Sequence, residues 1–201
     1  MILLGISTSG KYPSAAVARN GEIVSFVKDE SGRSHSATLM EVIDRALSGA
    51  GIGVSDIDSV AVDVGPGSFT GVRIGVSCAN AIAYALGLNV IPVCSLAAMR
   101  HILPSDGSVA PVIDCRNGNC YAALYTDGEE VIAPCAPSFE ELASRLPSDT
   151  ALVGSFGGIE GAPDAELVIK EALKKGQPVK EAVPMYLRPS QAERMRKDQS
   201  V

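Results

Sequence analysis

Apolar and polar positions change period along the chain in a way that separates strands from helices. Ile2 to Ser7 is a nearly continuous apolar run and predicts a buried strand. Ser14 to Ala18 and Ile23 to Val27 flank Asn20-Gly21, a dipeptide that suits type I′ turns, and predict a hairpin. Leu39, Val42, Ile43, Ala46, Leu47 and Ala50 then recur at helical spacing, giving a helix over Ser36 to Ala50 that Gly51 and Gly53 stop. Ser59 to Val64 reads as a strand, Thr70 to Leu86 as a second helix ending at Gly87, Asn89 to Val93 as a strand and Ser95 to Ile102 as a short helix.

A segment rich in Pro, Ser, Asp and Gly near Leu103 to Ser108 separates this half from a second one. There Val112 to Cys115 and Cys120 to Tyr125 flank the turn Arg116-Asn-Gly118. Asp127-Gly128 turns into a strand over Glu130 to Ala133, Phe139 to Leu146 is amphipathic, and Ala151 to Gly154 and Glu166 to Ile169 read as further strands. The residues from about Ser190 onward are polar, a helix or a frayed tail. The order of three strands, helix, strand, helix, strand, helix is the one that actin-like and ribonuclease H-like α/β folds share, an antiparallel hairpin joined to parallel βα units. Two lobes are expected, residues 1–103 and a smaller one over 104–201.

Between the fourth strand and the second helix lies Gly65-Pro-Gly-Ser-Phe-Thr-Gly-Val-Arg-Ile-Gly75. The glycines and proline break the strand, and Ser68 or Thr70 can accept from the first orphan amides of the helix. Gly65, Gly67, Ser68, Phe69 and Thr70 are therefore candidate anion- or nucleotide-binding residues, since free amides and the helix dipole converge there. The P-loop lysine is missing.

The second helix has little polar surface. Arg73, Ser77, Asn80 and Tyr84 form one narrow stripe, and Gly71, Gly75 and Ala79 form a small-residue ridge. Such a helix is either enclosed within its own domain or packed on another protein, and periodicity leaves both open. Leu39 and Met40 of the first helix could extend a joint patch. A large charged residue at Gly75 or Ala79 is expected to abolish any pairing made there.

Composition narrows the chemistry. Of 201 residues 46% are hydrophobic but only 4% aromatic, with no Trp, so the core is aliphatic and base-stacking surfaces are scarce. A formal net charge of −6 disfavours unaided nucleic-acid binding. The five cysteines form no CxxC, which suits a reducing cytoplasm, and neither a signal peptide nor a membrane-spanning run is expected. The first strand carries no carboxylate for a metal, and one turn after His35 stands Leu39 rather than a second histidine. Asp63, at a strand end, reads as a base or metal ligand or, on the favoured account, as a solvated or amide-capping residue; Asp114 beside Arg116 has the same two readings, a turn brace being favoured, and His101 is a lone histidine. No catalytic residue and no metal ligand is assigned. Arg188, Arg194, Arg196 and Lys197 make the basic cluster.

Asp63-Val-Gly-Pro-Gly-Ser-Phe-Thr-Gly-Val-Arg-Ile-Gly75, with Ile6-Ser-Thr-Ser9, His35-Ser36, Ser95-Leu-Ala-Ala98, Asp114-Cys-Arg116 and Pro184-Met-Tyr-Leu-Arg188, resembles the bacterial TsaB (YeaZ) family over nearly the whole chain. The resemblance implies two actin-like lobes and a non-catalytic role in forming threonylcarbamoyladenosine beside the tRNA anticodon. It implies pairing with the catalytic relative TsaD through the first two helices, joined by the ATPase TsaE, with tRNA met only through the complex. It implies self-association when TsaD is absent, and no cofactor on this chain alone, leaving ATP or ADP to the complex. The partner-interface residues are then Leu39, Met40, Ile43, Gly71, Arg73, Ile74, Gly75, Cys78 and Ala79. Rival readings are a self-sufficient ATPase or peptidase and an RNA-binding module. Two departures stand out: Ser7 replaces the Asp common in the family's first strand, and Gly157 to Val183 is short, so the helix that precedes Tyr-Leu-Arg is expected to be lost or reduced.

Overall fold

Alternation along β1 (Ile2–Ser7) sends its side chains into two different layers. Leu4 and Ile6 join a core with Leu39, Val42, Val72, Val76 and Ala79, whereas Leu3 joins another with Ala165, Val168, Ile169 and Ala172. β1 is thus the middle strand of a sheet covered on both faces. The computed structural model describes residues 1–104, 106–156 and 158–188.

The first sheet has the order β3-β2-β1-β4-β5, adding β2 (Ser14–Arg19), β3 (Glu22–Lys28), β4 (Ser59–Asp63) and β5 (Val90–Val93). β1, β2 and β3 pair antiparallel, and β1, β4 and β5 pair parallel. Asn20 and Gly21 both have positive φ, 52° and 90°, as a type I′ turn requires. α1 (His35–Gly49) and α2 (Phe69–Leu86) cover one face. By length and composition alone α2 could cross a membrane, but Val72, Val76, Ala79 and Ala83 are buried on the sheet. α3 (Ser95–Met99) runs into a 3₁₀ turn, Arg100–Ile102, where one continuous helix was expected.

The second sheet has the order β8-β7-β6-β9, from β6 (Ser108–Asp114), β7 (Cys120–Thr126), β8 (Glu129–Cys135) and β9 (Ala151–Gly154). α4 (Phe139–Arg145) covers its outer face through Leu142. Two antiparallel pairs followed by a parallel return reproduce the topology of β1 to β4, a repeat that no sequence period betrays.

Two expectations for the following segment are corrected. Glu166 to Ile169 is not a strand but the start of α5 (Ala165–Lys175), so the helix before Tyr186-Leu-Arg188 is present. Leu167-Val-Ile169 suggests a strand over four residues, but Ala165, Val168, Ile169 and Ala172 are buried at helical spacing over eleven. Asp164 caps the helix by accepting from the Leu167 amide at 3.0 Å, and Ser14 Oγ accepts from the Ala165 amide. α5 lies on the first sheet, directly over Gly5, where a Cβ would stand 2.6 Å from Ile169 Cγ1 and 2.8 Å from the Ala165 carbonyl oxygen.

The ridge on α2 also faces inward. A Cβ on Gly71 would lie 2.1 Å from the Thr8 carbonyl oxygen and one on Gly75 2.3 Å from Thr8 Oγ1, while Ala79 is fully buried. The backbone that approaches this ridge is the chain's own, so Gly71, Gly75 and Ala79 are packing residues and not a free partner surface. Gly71→Ala should therefore destabilise by about 1–3 kcal/mol through overpacking. Urea unfolding would register this as a lower midpoint at unchanged slope.

Candidate functional site: a buried elbow, a cleft and an apolar groove

The elbow is organised by Asp63, which is fully buried rather than solvated. Ser7 Oγ donates to one carboxylate oxygen at 2.9 Å and Ser9 Oγ donates to the same atom. The Gly65 amide, at 2.9 Å, and Ser95 Oγ donate to the other oxygen. Burial pushes the Asp63 carboxyl up from its ordinary value, and the hydroxyl and amide donors pull against that shift without cancelling it. Ser7 thus serves as a donor to the acid on β4. A second carboxylate there would face Asp63 across hydrogen-bond distance.

The chain then turns through Gly65, at φ 98°, and a cis Gly65–Pro66 bond into α2. Ser68 caps the helix, its Oγ accepting from the Gly71 amide at 3.1 Å, while its own amide donates to the Ser9 carbonyl at 2.8 Å. Gly67 sits so close to Ser9 that a Cβ would lie 2.6 Å from the Ser9 carbonyl oxygen. Of the candidate anion-binding residues, Gly65 and Gly67 shape the turn, and Ser68, Phe69 and Thr70 face the space beyond it.

That space is a cleft of 1060 Å³ between the two sheets, with Ser9, Lys11 and the elbow on one wall and Asp114, Arg116 and Tyr121 on the other. His35 also lines it, with Nε2 3.2 Å from the Gly10 carbonyl oxygen. Asp114 braces its turn by accepting from the Arg116 amide at 2.8 Å, through backbone rather than guanidinium. Arg188 reaches the cleft from the C-terminal segment; Arg194, Arg196, Lys197 and the polar tail lie outside the described residues. Among the described residues no group of three His, Cys, Asp or Glu side chains is placed to hold a metal ion.

A second concavity, an apolar groove of 580 Å³, runs between α1 and α2. Met40 is 61% exposed on its rim, Leu39 forms part of its floor, and Ile74, Cys78, Ala81 and Ala85 line the α2 side. The Cys78 thiol lies 3.6 Å from Met40 Sδ, and burial raises its pKa. Ile43 is in the core, and Arg73 turns away to Phe69 and Tyr186. Of the nine expected interface residues, Leu39, Met40, Ile74 and Cys78 line the groove.

Sequence reasoning missed a polar cluster that ties α5 to the 3₁₀ turn after α3 and to the turn between β7 and β8. Glu171 Oε2 accepts from Arg100 Nε at 3.0 Å and Nη2 at 2.8 Å and lies 2.7 Å from His101 Nε2, while Arg100 Nη1 donates to the Gly128 carbonyl at 2.7 Å. Burial raises the Glu171 pKa, but the hydrogen bonds and charges of His101 and Arg100 outweigh it and hold the carboxyl below its usual 4.5. The folded value is depressed, so this contribution to stability is complete above the unfolded value and is lost as pH falls through the folded one. Glu171→Gln should remove that part of the acid-induced loss, seen as a flatter plot of Tm against pH on the acid side. Only the helical period of α5, which puts residue 171 on the buried face, could have signalled the cluster.

Two sheets of this mixed topology facing each other across a cleft define an actin-like α/β protein. The profile of the family TsaD: tRNA N6-adenosine threonylcarbamoyltransferase matches residues 25–188. The chain is 34% identical over 166 residues to the tRNA threonylcarbamoyladenosine biosynthesis protein TsaB of Haemophilus influenzae, covering 75% of this chain and 70% of that one. It is 32% identical over 129 residues to the TsaB protein of Bacillus subtilis, spanning 62% of this chain and 55% of the relative. YeaZ from Pseudomonas aeruginosa superposes with a TM-score of 0.78 at 25% identity, over 92% of this chain and 99% of that one. The chain belongs to the TsaB (YeaZ) family.

Proposed function

We propose that this chain is a non-catalytic subunit in the formation of threonylcarbamoyladenosine in tRNA, and that it docks the catalytic subunit TsaD in the groove between α1 and α2. The observation that carries this reading is the groove itself, an open apolar trough rimmed by Met40 between two helices whose inner faces are packed on their own sheet. The TsaD profile spans both groove helices, so a TsaD chain brings an equivalent helix pair, and two such pairs can meet face to face about an approximate twofold axis. The same geometry allows a second copy of this chain to take the place when TsaD is absent.

The first strand lacks an acid, Asp63 is spent on hydroxyls and an amide, and the elbow has no lysine, which supports a supporting rather than a catalytic role. With a net charge of −6 the chain meets tRNA through the complex, and TsaE and ATP or ADP join at that level. No disulfide links its cysteines, in keeping with a cytoplasmic setting.

The test is the mass of the purified chain with and without its cognate TsaD, alongside ATP turnover by the chain alone with Mg²⁺. A mixed complex and no turnover are expected. Turnover that disappears in Ser7→Ala would instead support an enzyme acting on its own.

A further inference from the structure

The segment after α5 recrosses the molecule. Val179 exchanges both backbone hydrogen bonds with Val90, at 2.8 and 2.9 Å, adding one bridge to the free edge of β5. Asn80 holds Ala182 by both its amide groups, Nδ2 donating to the carbonyl oxygen and Oδ1 accepting from the amide, each at 2.9 Å. The Met185 amide donates to the Val64 carbonyl at 2.7 Å. Tyr186 stacks on Phe69 with ring centroids 4.6 Å apart, and Arg73 locks the stack: its guanidinium lies 4.1 Å from the Phe69 ring centroid, and its Nε donates to Tyr186 Oη at 2.7 Å. Up to this point each of these contacts is to β5, to α2 or to Val64 directly after β4.

At Arg188 the segment changes sides. Nη2 donates to Asn119 Oδ1 at 2.9 Å and Nη1 lies 3.4 Å from Cys115 Sγ, both in the turn between β6 and β7. Met185 to Arg188 line the cleft on the way. Among the described residues, a strap fixed along one lobe and reaching the β6–β7 turn of the other through the Arg188 guanidinium is a fastening between them.

We propose that residues 179–188 are a clasp across the cleft mouth, that Arg188 is its catch and that Arg73 is the positioning residue that holds the catch in place. Phe69, the first residue of α2, and Tyr186, two residues before the catch, are the link between them. Widening the cleft to admit a ligand requires Arg188 to release Cys115 and Asn119 while Asn80 and Val90 retain the rest of the strap. Arg73 stands on the helix that also walls the groove, so the orientation of α2 is transmitted to the cleft through this stack. The clasp belongs to the chain by itself and does not depend on the pairing proposed above.

The test is pulsed alkylation of the full chain with iodoacetamide, read at Cys115 by peptide mass spectrometry, with buried Cys120 as the internal control. With each rate corrected for the thiolate fraction from the pH dependence of labelling, since the Arg188 guanidinium also favours the thiolate, Arg188→Ala and Arg73→Ala should each speed labelling of Cys115 by about tenfold, the change expected when a local opening equilibrium loses one charge-assisted contact. Tyr186→Phe, which keeps the ring but loses the acceptor, should give a smaller rise. Because Arg73 acts through Arg188, the double variant should label no faster than Arg188→Ala alone. The clasp is overturned if Arg73→Ala and Tyr186→Phe both leave Cys115 at the native rate, if the two alanine effects multiply, or if Cys120 accelerates to the same degree.

Discussion

Met40→Glu and Ala85→Arg are expected to weaken binding to TsaD by thirtyfold or more while leaving the chain folded. Both side chains are exposed on the groove, so neither change disturbs the core. In the complex each would bury an unpaired charge against apolar surface, and central interface positions of that kind cost about 2 kcal/mol or more. The readout is a titration with TsaD alongside the Tm of the free chain. Unchanged affinity in both variants would remove the groove from the interface. Gly75 and Ala79, which read from the sequence as natural choices for this experiment, cannot serve: charge there would meet Thr8 and the sheet, and loss of binding would only report unfolding.

Asp63→Ala is expected to be the most damaging single change to stability outside the aliphatic core. It strips the acceptor from three buried hydroxyls and the Gly65 amide together, and unsatisfied buried donors of this kind cost about 3 kcal/mol or more in sum. Asp63→Asn keeps the shape and an acceptor oxygen and should lose less than half as much. Guanidinium unfolding of the two variants measures the difference. If alanine and asparagine were equally mild, Asp63 would not be what holds the elbow against Ser9 and Ser95.

Much of the first lobe was legible because its signals are local. The Asn20-Gly21 turn, the apolar stripe of α1 and the stop at Gly87 each depend on a few neighbouring residues, and each element formed within a residue or two of its expected place. The second half was less so. Leu167-Val-Ile169 is compatible with strand or helix, and only the approach of α5 to Gly5 makes the helix the better-packed choice. The same holds for the site. The elbow sequence announced a strand-to-helix turn, but whether its Asp faced water or hydroxyls depended on Ser7, Ser9 and Ser95, which come from two other segments.

The sequence by itself determined the family, the order of the elements but for the last helix, and the presence of a helix too apolar for an ordinary surface. Periodicity could not say which side of that helix is covered, because Gly71, Gly75 and Ala79 present the same small surface to a partner's backbone or to the chain's own. Tertiary structure decided it: Thr8 occupies the ridge, the strap takes Arg73 and Asn80, and the flank left open is the one beside Met40. The physical reason is that a helix face is assigned by what lies within van der Waals reach of it, and those neighbours are distant in the chain.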